Sequence, residues 1–415
     1  MKALSFLAAF YFSIYVSVAT AAIPQHIQAG LDVLVAEKFA PVANKRVGVV
    51  CNHTARNKQG EHLVDLLQRS GVCQITAIFG PEHGFRGTYA DGRTITDTID
   101  AVSGAHIYSL YGTVTRPTPA MLQNVDLLIY DIQDVGVRFY TYITTLTNVM
   151  ESAAEMGIPI IVLDRPNPIR GDRVEGPLLD LRFRSFVGPH PLPIRYGLTI
   201  GELAQLINNE GWLRDSLRAN LSIIKMRGWR RSFWYDETDL PWVPPSPNMK
   251  TIETAIVYPG FCLLEASNIS EGRGTESPFL QFGAPWIDGQ AYATALNKLA
   301  LPGVQFIPTK FVPREIPGIA YKPKYEGEVC EGVQIKITNR DLFQPIQAAI
   351  RVLLITQKLY PDKLQWRSAG LDRLYGNDEL RNFLNNGGEV REFFRKWEAP
   401  LAAFAQIAKR YYLYQ

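Results

Sequence analysis

Charged and polar side chains crowd into the loop after one apolar segment. The stretch IFGPEHGFRGTYADG, residues 78–92, begins with an apolar run and then places Glu82, His83 and Arg86 within a few positions. Glutamate is a poor turn former, and Pro81 and Gly84 restrict the backbone on either side of it. A rigidly held carboxyl group is typical of a catalytic acid or base. Glu82 is therefore the first catalytic candidate, with His83 and Arg86 as candidate substrate contacts.

Three further apolar segments also end in acids, amides or arginines. These residues are Asn52 and His53, then Asp131, Gln133, Asp134 and Arg138, and then Asp164, Arg165 and Asn167. Apolar strands separated by helices predict a parallel sheet covered on both faces, which right-handed crossovers make a doubly wound α/β domain. Because ligands bind outside the carboxyl ends of such strands, we expect the four ends to form one site. The alternative for Asp131 and Asp164 is that each only caps the next helix.

A second dense group of polar residues lies in LLEASNISEGRGTESPFLQFGAPW, residues 263–286. It contains Glu265, Asn268, Glu271, Arg273 and Glu276, and the aromatic residues Phe279, Phe282 and Trp286. We expect the aromatic residues to form a stacking wall for the face of a sugar ring. Because a proline-rich stretch, residues 241–247, predicts an extended crossing between domains, the group should face the first domain across a cleft. The alternative is a glycine-rich loop with solvated charges.

The length of 415 residues predicts two domains. We expect an α/β domain over residues 23–240 and a smaller α+β domain over residues 241–415, with the active site in the cleft between them. Locally, Gly71 and Gly157 should end helices, and Thr199 should be the N-cap of another. In the second domain, EGVQIKITNR predicts a strand and PIQAAIRVLLITQKLY a helix. Further helices should follow towards the end of the chain.

Residues 1–22 have the pattern of a secretory signal peptide. Lys2 precedes an apolar run from Leu4 to Val18, and Ala19-Thr20-Ala21 fits a cleavage site. The alternative is an uncleaved membrane anchor. We expect an exported protein, periplasmic or extracellular, with no membrane span once the signal is removed.

Composition and missing motifs exclude several classes of function. A net charge of +3 is too weak a bias for nucleic-acid binding. The sequence has no G-x-G-x-x-G after its first strand, no Walker A loop, no G-x-S-x-G elbow and no H-E-x-x-H, and its six histidines are scattered. The remaining carboxylates, amides, arginines and tyrosines suit the hydrolysis of sugars. Of the four cysteines, Cys51 and Cys73 should not pair if their strands are parallel neighbours, and a Cys262–Cys330 disulfide stays open.

Several long motifs carry a resemblance to a known family. NHTARNKQGEHLVDLL, FGPEHGFRG, YDIQDVGVRFYTYITTL, LDRPNPIRGDRVEGPLLD and YPGFCLLEASNISEGRGTESPF resemble the exo-β-N-acetylmuramidases of bacteria, formerly a family of unknown function. The resemblance extends over nearly the whole chain after residue 33 and is weaker after Pro308. It implies a Rossmann-like domain with a smaller C-terminal domain, and release of N-acetylmuramic acid from the non-reducing end of peptidoglycan fragments. It implies no metal or organic cofactor.

Glycosidic cleavage needs two groups, and the resemblance leaves the second one open. Glu82 is the expected general acid. Glu271 and Asp131 compete as its partner, with Glu175 behind them. Tyr140 and Tyr142 are further candidates, as nucleophile or as stacking groups. A carboxyl separation of about 5–5.5 Å would mean a retaining route and about 6.5–9.5 Å an inverting one.

N-acetylmuramic acid carries a lactyl carboxylate, for which arginine is the natural partner. Arg86, Arg138, Arg195 and Arg273 lie in the shared motifs, and Arg138 and Arg273 are the favoured pair. The alternative for each is an ion pair within the fold. Asn52, Asn268 and Asp164 complete the expected contacts to the sugar.

Two rival functions come from other classes. A non-catalytic wall-binding protein would hold the same fragments without releasing sugar. An esterase or amidase would need an activated serine; Ser246 and Ser270 lie in suitable loops, but no base is matched to either.

Overall fold

The structure is a computed structural model that describes residues 26–82, 84–85 and 98–415. The expected signal peptide, His83 and Arg86 lie outside the described residues. The strands of the first domain are β1 (Arg46–Cys51), β2 (Gln74–Gly80), β3 (Thr98–Ile99), β4 (His106–Ser109), β5 (Leu127–Asp131), β6 (Ile160–Leu163), β7 (Glu175–Leu178), β8 (Pro193–Arg195) and β9 (Leu221–Ile224). Its helices are α1 (Gly30–Ala36), α2 (Leu63–Ser70), α3 (Pro119–Leu122), α4 (Tyr142–Met156) and α5 (Ile200–Asn209).

Seven of these strands form the central sheet, in the order β3-β4-β2-β1-β5-β6-β9. All neighbours are parallel except β3, which is antiparallel to β4. The chain runs outward from β1 to β2 and β4, and then returns to β5 on the other side of β1. The order therefore reverses between β1 and β5, where a doubly wound fold commonly opens a crevice for a ligand. The predicted doubly wound α/β sheet is confirmed.

Alternate residues of the central strand β1 pack into two separate cores. Val49 packs in one core with Leu31 of α1 and Leu67 of α2, whereas Val50 packs in the other with Ile143 of α4. This alternation follows from the period of two along a strand. Both faces of the sheet are covered, which explains why its strands are apolar throughout.

Short local signals set the ends of the helices as predicted. Gly71 and Gly157 end α2 and α4 with φ of 63° and 65°, a conformation that glycine adopts at little cost. Thr199 caps α5, because its Oγ1 accepts from the amide of Glu202 while the Glu202 carboxylate accepts from the amide of Thr199. This reciprocal pair is a capping box.

The second domain places an antiparallel sheet against helices. Its elements are α6 (Ile252–Phe261), β10 (Gln281–Ala284), α7 (Gly289–Asn297), β11 (Val304–Phe311), β12 (Cys330–Ile337), α8 (Pro345–Leu359), α9 (Ser368–Tyr375), α10 (Glu379–Asn386), α11 (Val390–Arg395) and α12 (Glu398–Lys409). The sheet order is β10-β12-β11. The predicted strand is β12 and the predicted long helix is α8. Residues 241–247, the proline-rich stretch, lie outside regular helices and strands.

One apolar core joins the two domains. Tyr130 and Ile143 of the first domain belong to the same buried cluster as Phe261 and Phe282 of the second. The shared core fixes the position of the two domains relative to each other.

Two sequence expectations concern cysteines and membrane helices. Cys51 ends β1 and Cys73 precedes its parallel neighbour β2, so their separation at opposite sheet edges is confirmed. Cys262 and Cys330 are both buried and carry no disulfide. In the ranges that the structure describes, every helix is too short or too polar to cross a bilayer.

Candidate active site

A cleft opens between the two domains, and residues of both domains line it. Its first wall comes from the ends of β2 and β4 and from the start of α4, and its second wall from α6 and the segment after it. The lining residues are Glu82, Tyr111, Phe139, Tyr140, Thr141, Tyr142, Phe186, Val187, Ser246, Tyr258, Cys262, Glu265, Arg273 and Leu374.

Glu82 stands on the first wall, directly after β2. The chain turns sharply there: a Cβ on Gly80 would lie 2.7 Å from the amide nitrogen of Phe85, so a larger residue would not fit. Gly84 has a φ of 76°, which favours glycine. The Thr141 hydroxyl donates to Oε2 of Glu82 at 2.7 Å. The structure thus holds this carboxyl group, half-buried, from both its backbone and its side chain.

Four tyrosines line the cleft, and three of them, Tyr140, Tyr142 and Tyr258, pack against one another. The rings of Tyr140 and Tyr142 meet edge to face at 5.0 Å, and Tyr140 meets Tyr258 in the same way at 6.0 Å. The Tyr142 hydroxyl donates to the carbonyl of Pro245 at 2.6 Å and accepts from Nδ2 of Asn52 at 3.0 Å. Burial, together with the charges of neighbours that include Glu82, raises the pKa of Tyr142 well above its ordinary value. The Tyr142 hydroxyl is thus engaged within the fold by both Pro245 and Asn52.

The second wall contributes an ion pair. Nη2 of Arg273 lies 2.8 Å from Oε1 of Glu265, and the guanidinium lies 5.1 Å from the ring centre of Phe279. Behind this pair, Glu271 is buried and bonds to Nζ of Lys324 at 2.9 Å, with Nε of Arg273 at 3.6 Å. Glu265, rather than the predicted Glu271, is thus the second carboxylate that reaches the cleft. Glu271 keeps Arg273 in place instead.

A second cavity, of about 950 Å³, adjoins the cleft. Glu265 and Arg273 line both cavities, so their ion pair marks the boundary between them. Beyond the boundary lie Glu271, Lys322, Lys324 and Arg367.

The prediction that Asp131 is catalytic is wrong. Its side chain is fully buried at the end of β5, where Arg165 donates to both carboxylate oxygens, at 2.5 and 2.9 Å. A buried carboxylate held in a two-pronged ion pair serves the fold. Glu175 is likewise not a partner of Glu82, because it accepts from the amide of Ile346 away from the cleft.

Asp164 and Asn52 are also buried parts of the fold rather than contacts to a sugar. Asp164 accepts from the Thr199 hydroxyl, the Gly201 amide and the Tyr414 hydroxyl at 2.8, 2.8 and 2.5 Å. Asn52 supports Tyr142 through its amide nitrogen, and its amide oxygen accepts from Thr54. Their side chains are 0% exposed, so neither can contact a ligand as predicted.

Arg138, one of the two favoured lactyl-binding residues, has a structural role instead. Its guanidinium is 0% exposed and donates to four backbone carbonyls, those of Pro177, Leu192, Leu374 and Tyr375, at 2.7–3.0 Å. A Cβ on Gly376 would lie 2.5 Å from Nη2 of Arg138. Arg138 therefore ties the first domain to the end of α9, and Gly376 leaves room for it.

Two other predictions from the second dense region need correction. Asn268 bonds to the carbonyl of Lys363 and the amide of Gln365, so it fastens a loop. Phe279 and Phe282 are 2% and 0% exposed and cannot form a stacking wall. The indole of Trp286 donates to the Tyr325 hydroxyl at 3.1 Å, outside the cleft.

Several lining residues were not among the sequence candidates. They are Tyr111, Thr141, Phe186, Tyr258 and Glu265. Thr141 stands between Tyr140 and Tyr142 in RFYTY, and Glu265 belongs to the dense second region, so both had a local signal. Tyr111 and Phe186 had none, because only the three-dimensional fold brings their loops beside Glu82.

Comparisons with known proteins cover nearly the whole chain. Residues 47–253 match the family model "Exo-beta-N-acetylmuramidase NamZ, N-terminal", and residues 256–414 match its C-terminal counterpart. The peptidoglycan beta-N-acetylmuramidase NamZ of Bacillus subtilis (strain 168) is 43% identical over 389 residues, which are 94% of this chain and 91% of that protein.

Two solved structures are also similar to the chain over most of its length. A crystal structure of a DUF1343 family protein from Bacteroides fragilis NCTC 9343 is similar with a TM-score of 0.86 and 35% identity, and covers 94% of this chain and 99% of its own. A second DUF1343 family protein from the same organism has a TM-score of 0.77 and 32% identity, with the same coverage of both chains.

Proposed function

Because the chain belongs to the exo-β-N-acetylmuramidase family, we propose that it releases N-acetylmuramic acid from the non-reducing end of peptidoglycan fragments through Glu82 and Glu265. The observation that carries this assignment of residues is the cleft itself. Its described lining has one carboxylate on each wall, half-buried and held by a hydrogen bond or an ion pair. A pair of positioned carboxyl groups is what glycosidic cleavage needs.

Glu82 acts as the general acid. Its proton passes to the glycosidic oxygen as the bond from that oxygen to the anomeric carbon breaks. The hydrogen bond that the Thr141 hydroxyl donates to Oε2 holds the carboxyl group in one orientation. The neutral leaving sugar then departs with a new hydroxyl group.

Glu265 acts at the anomeric carbon from the opposite wall of the cleft. It either attacks that carbon or takes a proton from an attacking water, according to the separation of the two carboxyl groups. Its ion pair with Arg273 favours the charged form, which both routes require.

Arg273 is the proposed partner of the lactyl carboxylate. An anionic sugar that approaches two glutamates needs a cation, and Arg273 lies at the end of the cleft beside Glu265. Arg138 and Arg195 are buried and donate to backbone carbonyls. Arg273 therefore remains as the favoured arginine on the described surface of the cleft.

Export of the protein is a separate proposal. It rests on the sequence of residues 1–22, which has the three parts of a signal peptide. An exported enzyme would meet peptidoglycan outside the cytoplasmic membrane.

The test is Glu82→Gln, assayed with a chromogenic β-N-acetylmuramide. We expect kcat to fall by about 10²–10⁴-fold, the usual contribution of a general acid, with an unchanged Tm. Glu276→Gln is the matched control, because the Glu276 side chain is 94% exposed and lies outside the lining of the cleft. Near-normal turnover of a folded Glu82→Gln protein would contradict the proposal.

Mass analysis of the products distinguishes the rival functions. The proposal predicts free N-acetylmuramic acid from the disaccharide of N-acetylmuramic acid and N-acetylglucosamine. A binding protein would leave the disaccharide intact, and an esterase or amidase would release an acyl group instead.

A further inference from the structure

Two aromatic rings in the lining of the active-site cleft have no role assigned to them so far. Tyr111 and Phe186 both line the cleft and are both partly exposed. Their ring centres are 5.8 Å apart, and the rings meet edge to face at 64°. Partly exposed aromatic rings in a cleft that also contains Glu82, Glu265 and Arg273 are suited to a ligand with both polar and apolar surface.

The elements that position Glu82 also position both rings. Tyr111 follows β4, the parallel neighbour of β2, and the amide of Leu110 donates to the carbonyl of Gly80 at 2.8 Å. Phe186 is held through its carbonyl, which accepts from the hydroxyl of Thr144 at 2.6 Å. Thr144 lies one helical turn after Thr141, which bonds to Glu82. The rings therefore keep a fixed relation to the catalytic acid.

The two rings and the ion pair of Glu265 with Arg273 come from different domains and line different parts of the cleft. Glu265 and Arg273 lie at the boundary with the second cavity, whereas Tyr111 and Phe186 line only the cleft that contains Glu82. A general acid must stand beside the oxygen that joins the two sugars, with one sugar on either side. If the ion pair of Glu265 with Arg273 takes the sugar with the lactyl carboxylate, the two aromatic rings are left for the other sugar.

We propose that Tyr111 and Phe186 form the subsite for the leaving group, which binds the uncharged N-acetylhexosamine next to the cleaved bond. This inference rests on the proposed function. A pyranose ring presents C–H groups on its faces and hydroxyl groups at its edge, so an aromatic ring can cover a face while the edge stays hydrated. The disaccharide would then bind with its N-acetylmuramic acid at the ion pair of Glu265 with Arg273 and its other sugar at the two rings.

The experiment compares two substrates that share the N-acetylmuramyl part. One is the disaccharide with N-acetylglucosamine as leaving group, and the other is β-N-acetylmuramyl fluoride, whose leaving group has no ring. For Tyr111→Ala and for Phe186→Ala, we expect the ratio of kcat/KM for the disaccharide to kcat/KM for the fluoride to fall about tenfold. This equals the loss of about 1.4 kcal/mol of contact.

Two controls accompany these variants. Tyr111→Phe keeps the ring and should restore most of the ratio. Phe183→Ala removes a ring three residues before Phe186 that does not line the cleft, and should leave the ratio unchanged. If Tyr111→Ala does not fold, Tyr111→Leu keeps the bulk and removes the aromatic face, with the same expected direction.

The outcomes separate the two proposals. Wild-type protein that cleaves neither substrate would overturn the proposed function. Wild-type protein that cleaves both, with alanine variants whose ratio stays within about twofold of wild type, would overturn the subsite and leave the proposed function intact.

Discussion

Two groups of carboxylates have different surroundings in this fold. At the crevice between β1 and β5, Asp131 and the nearby Asp164 are fully buried and bonded to the chain itself. In the cleft, Glu82 and Glu265 are half-buried and line a cavity. All of them are acids in loops or at element ends, so their position in the sequence does not separate them. What separates them is whether the rest of the chain covers them.

The crevice is covered by two distant segments of the chain. The carbonyls of Pro244 and Pro245 bond to His53 and to the Tyr142 hydroxyl, just beyond the end of β1. At the end of β6, the hydroxyl of Tyr414 bonds to Asp164. The place where a doubly wound sheet commonly binds its ligand is therefore largely covered by the protein, which leaves only a small pocket beside Thr54, Gln133 and Arg165. The open cleft lies further out, at the ends of β2 and β4, where the second domain supplies the opposite wall.

The largest expected effect comes from Glu265→Gln. We expect kcat to fall by about 10²–10⁴-fold, because either route of hydrolysis needs a carboxylate at the anomeric carbon. The free energy of unfolding should change by less than about 1 kcal/mol, because the ion pair with Arg273 is partly exposed. Steady-state kinetics and urea unfolding of the same preparation measure both quantities. Full activity would remove Glu265 from the reaction and leave Tyr140 as the described candidate beside Glu82.

Asp131→Asn should show the opposite pattern. The change leaves the buried charge of Arg165 without its full partner, and we expect the free energy of unfolding to fall by about 3–5 kcal/mol. The kcat of the protein that remains folded should stay within about twofold of wild type, since the residue touches no substrate.

The control for this variant is Asp126→Asn. Asp126 also forms a two-pronged ion pair, with Arg46, but at the exposed surface. Its removal should cost far less stability, because water replaces the lost partner. Urea unfolding curves measure both variants. If Asp131→Asn abolished turnover without loss of stability, Asp131 would have a role in the reaction. The distinction between the covered crevice and the open cleft would then be wrong.

The sequence was sufficient for most of the framework. Strands β1, β2, β5 and β6 and the ends of α2, α4 and α5 followed from apolar runs, glycines and a capping threonine. These signals act over a few residues, and the fold did not override them. Glu82 was also found in this way, because proline and glycine around a glutamate form a local pattern.

The roles of most other candidates depended on contacts between distant residues. Arg138 binds carbonyls 236 and 237 residues further along the chain, so no neighbouring residue predicts its burial. Glu265 and Glu271 lie six positions apart in one segment. Lys324, 53 residues after Glu271, draws that carboxylate away from the cleft. Residue types and motifs thus identified the segments that line the cleft. Which residue of each segment reaches the cleft depends on the packing of distant parts of the chain.

The smallest of the expected effects concerns pH, and it separates the covered crevice from the surface. Burial raises the pKa of Asp164 to about 7, helped by the nearby charge of Glu202. The unfolded chain binds this proton only below about pH 4. Between those values the folded state holds more protons, so its stability falls as pH rises. This one group should cost about 2–3 kcal/mol between pH 5 and pH 8.

Asp164→Asn tests this directly, because an amide cannot ionise. The variant should lose less stability than wild type between pH 5 and pH 8, by the amount that Asp164 contributes, as measured by urea unfolding at the two values. Asp180→Asn is the control: that carboxyl group is exposed, and its bond with Arg182 lowers its pKa, so it is ionised in both states throughout the range. Equal pH dependence in wild type and Asp164→Asn would mean that the four donors around Asp164, which include the amide of Arg165, stabilise its charge fully. The crevice would then hold an anion as easily as the cleft does, and the contrast between the two regions would rest on access to ligand alone.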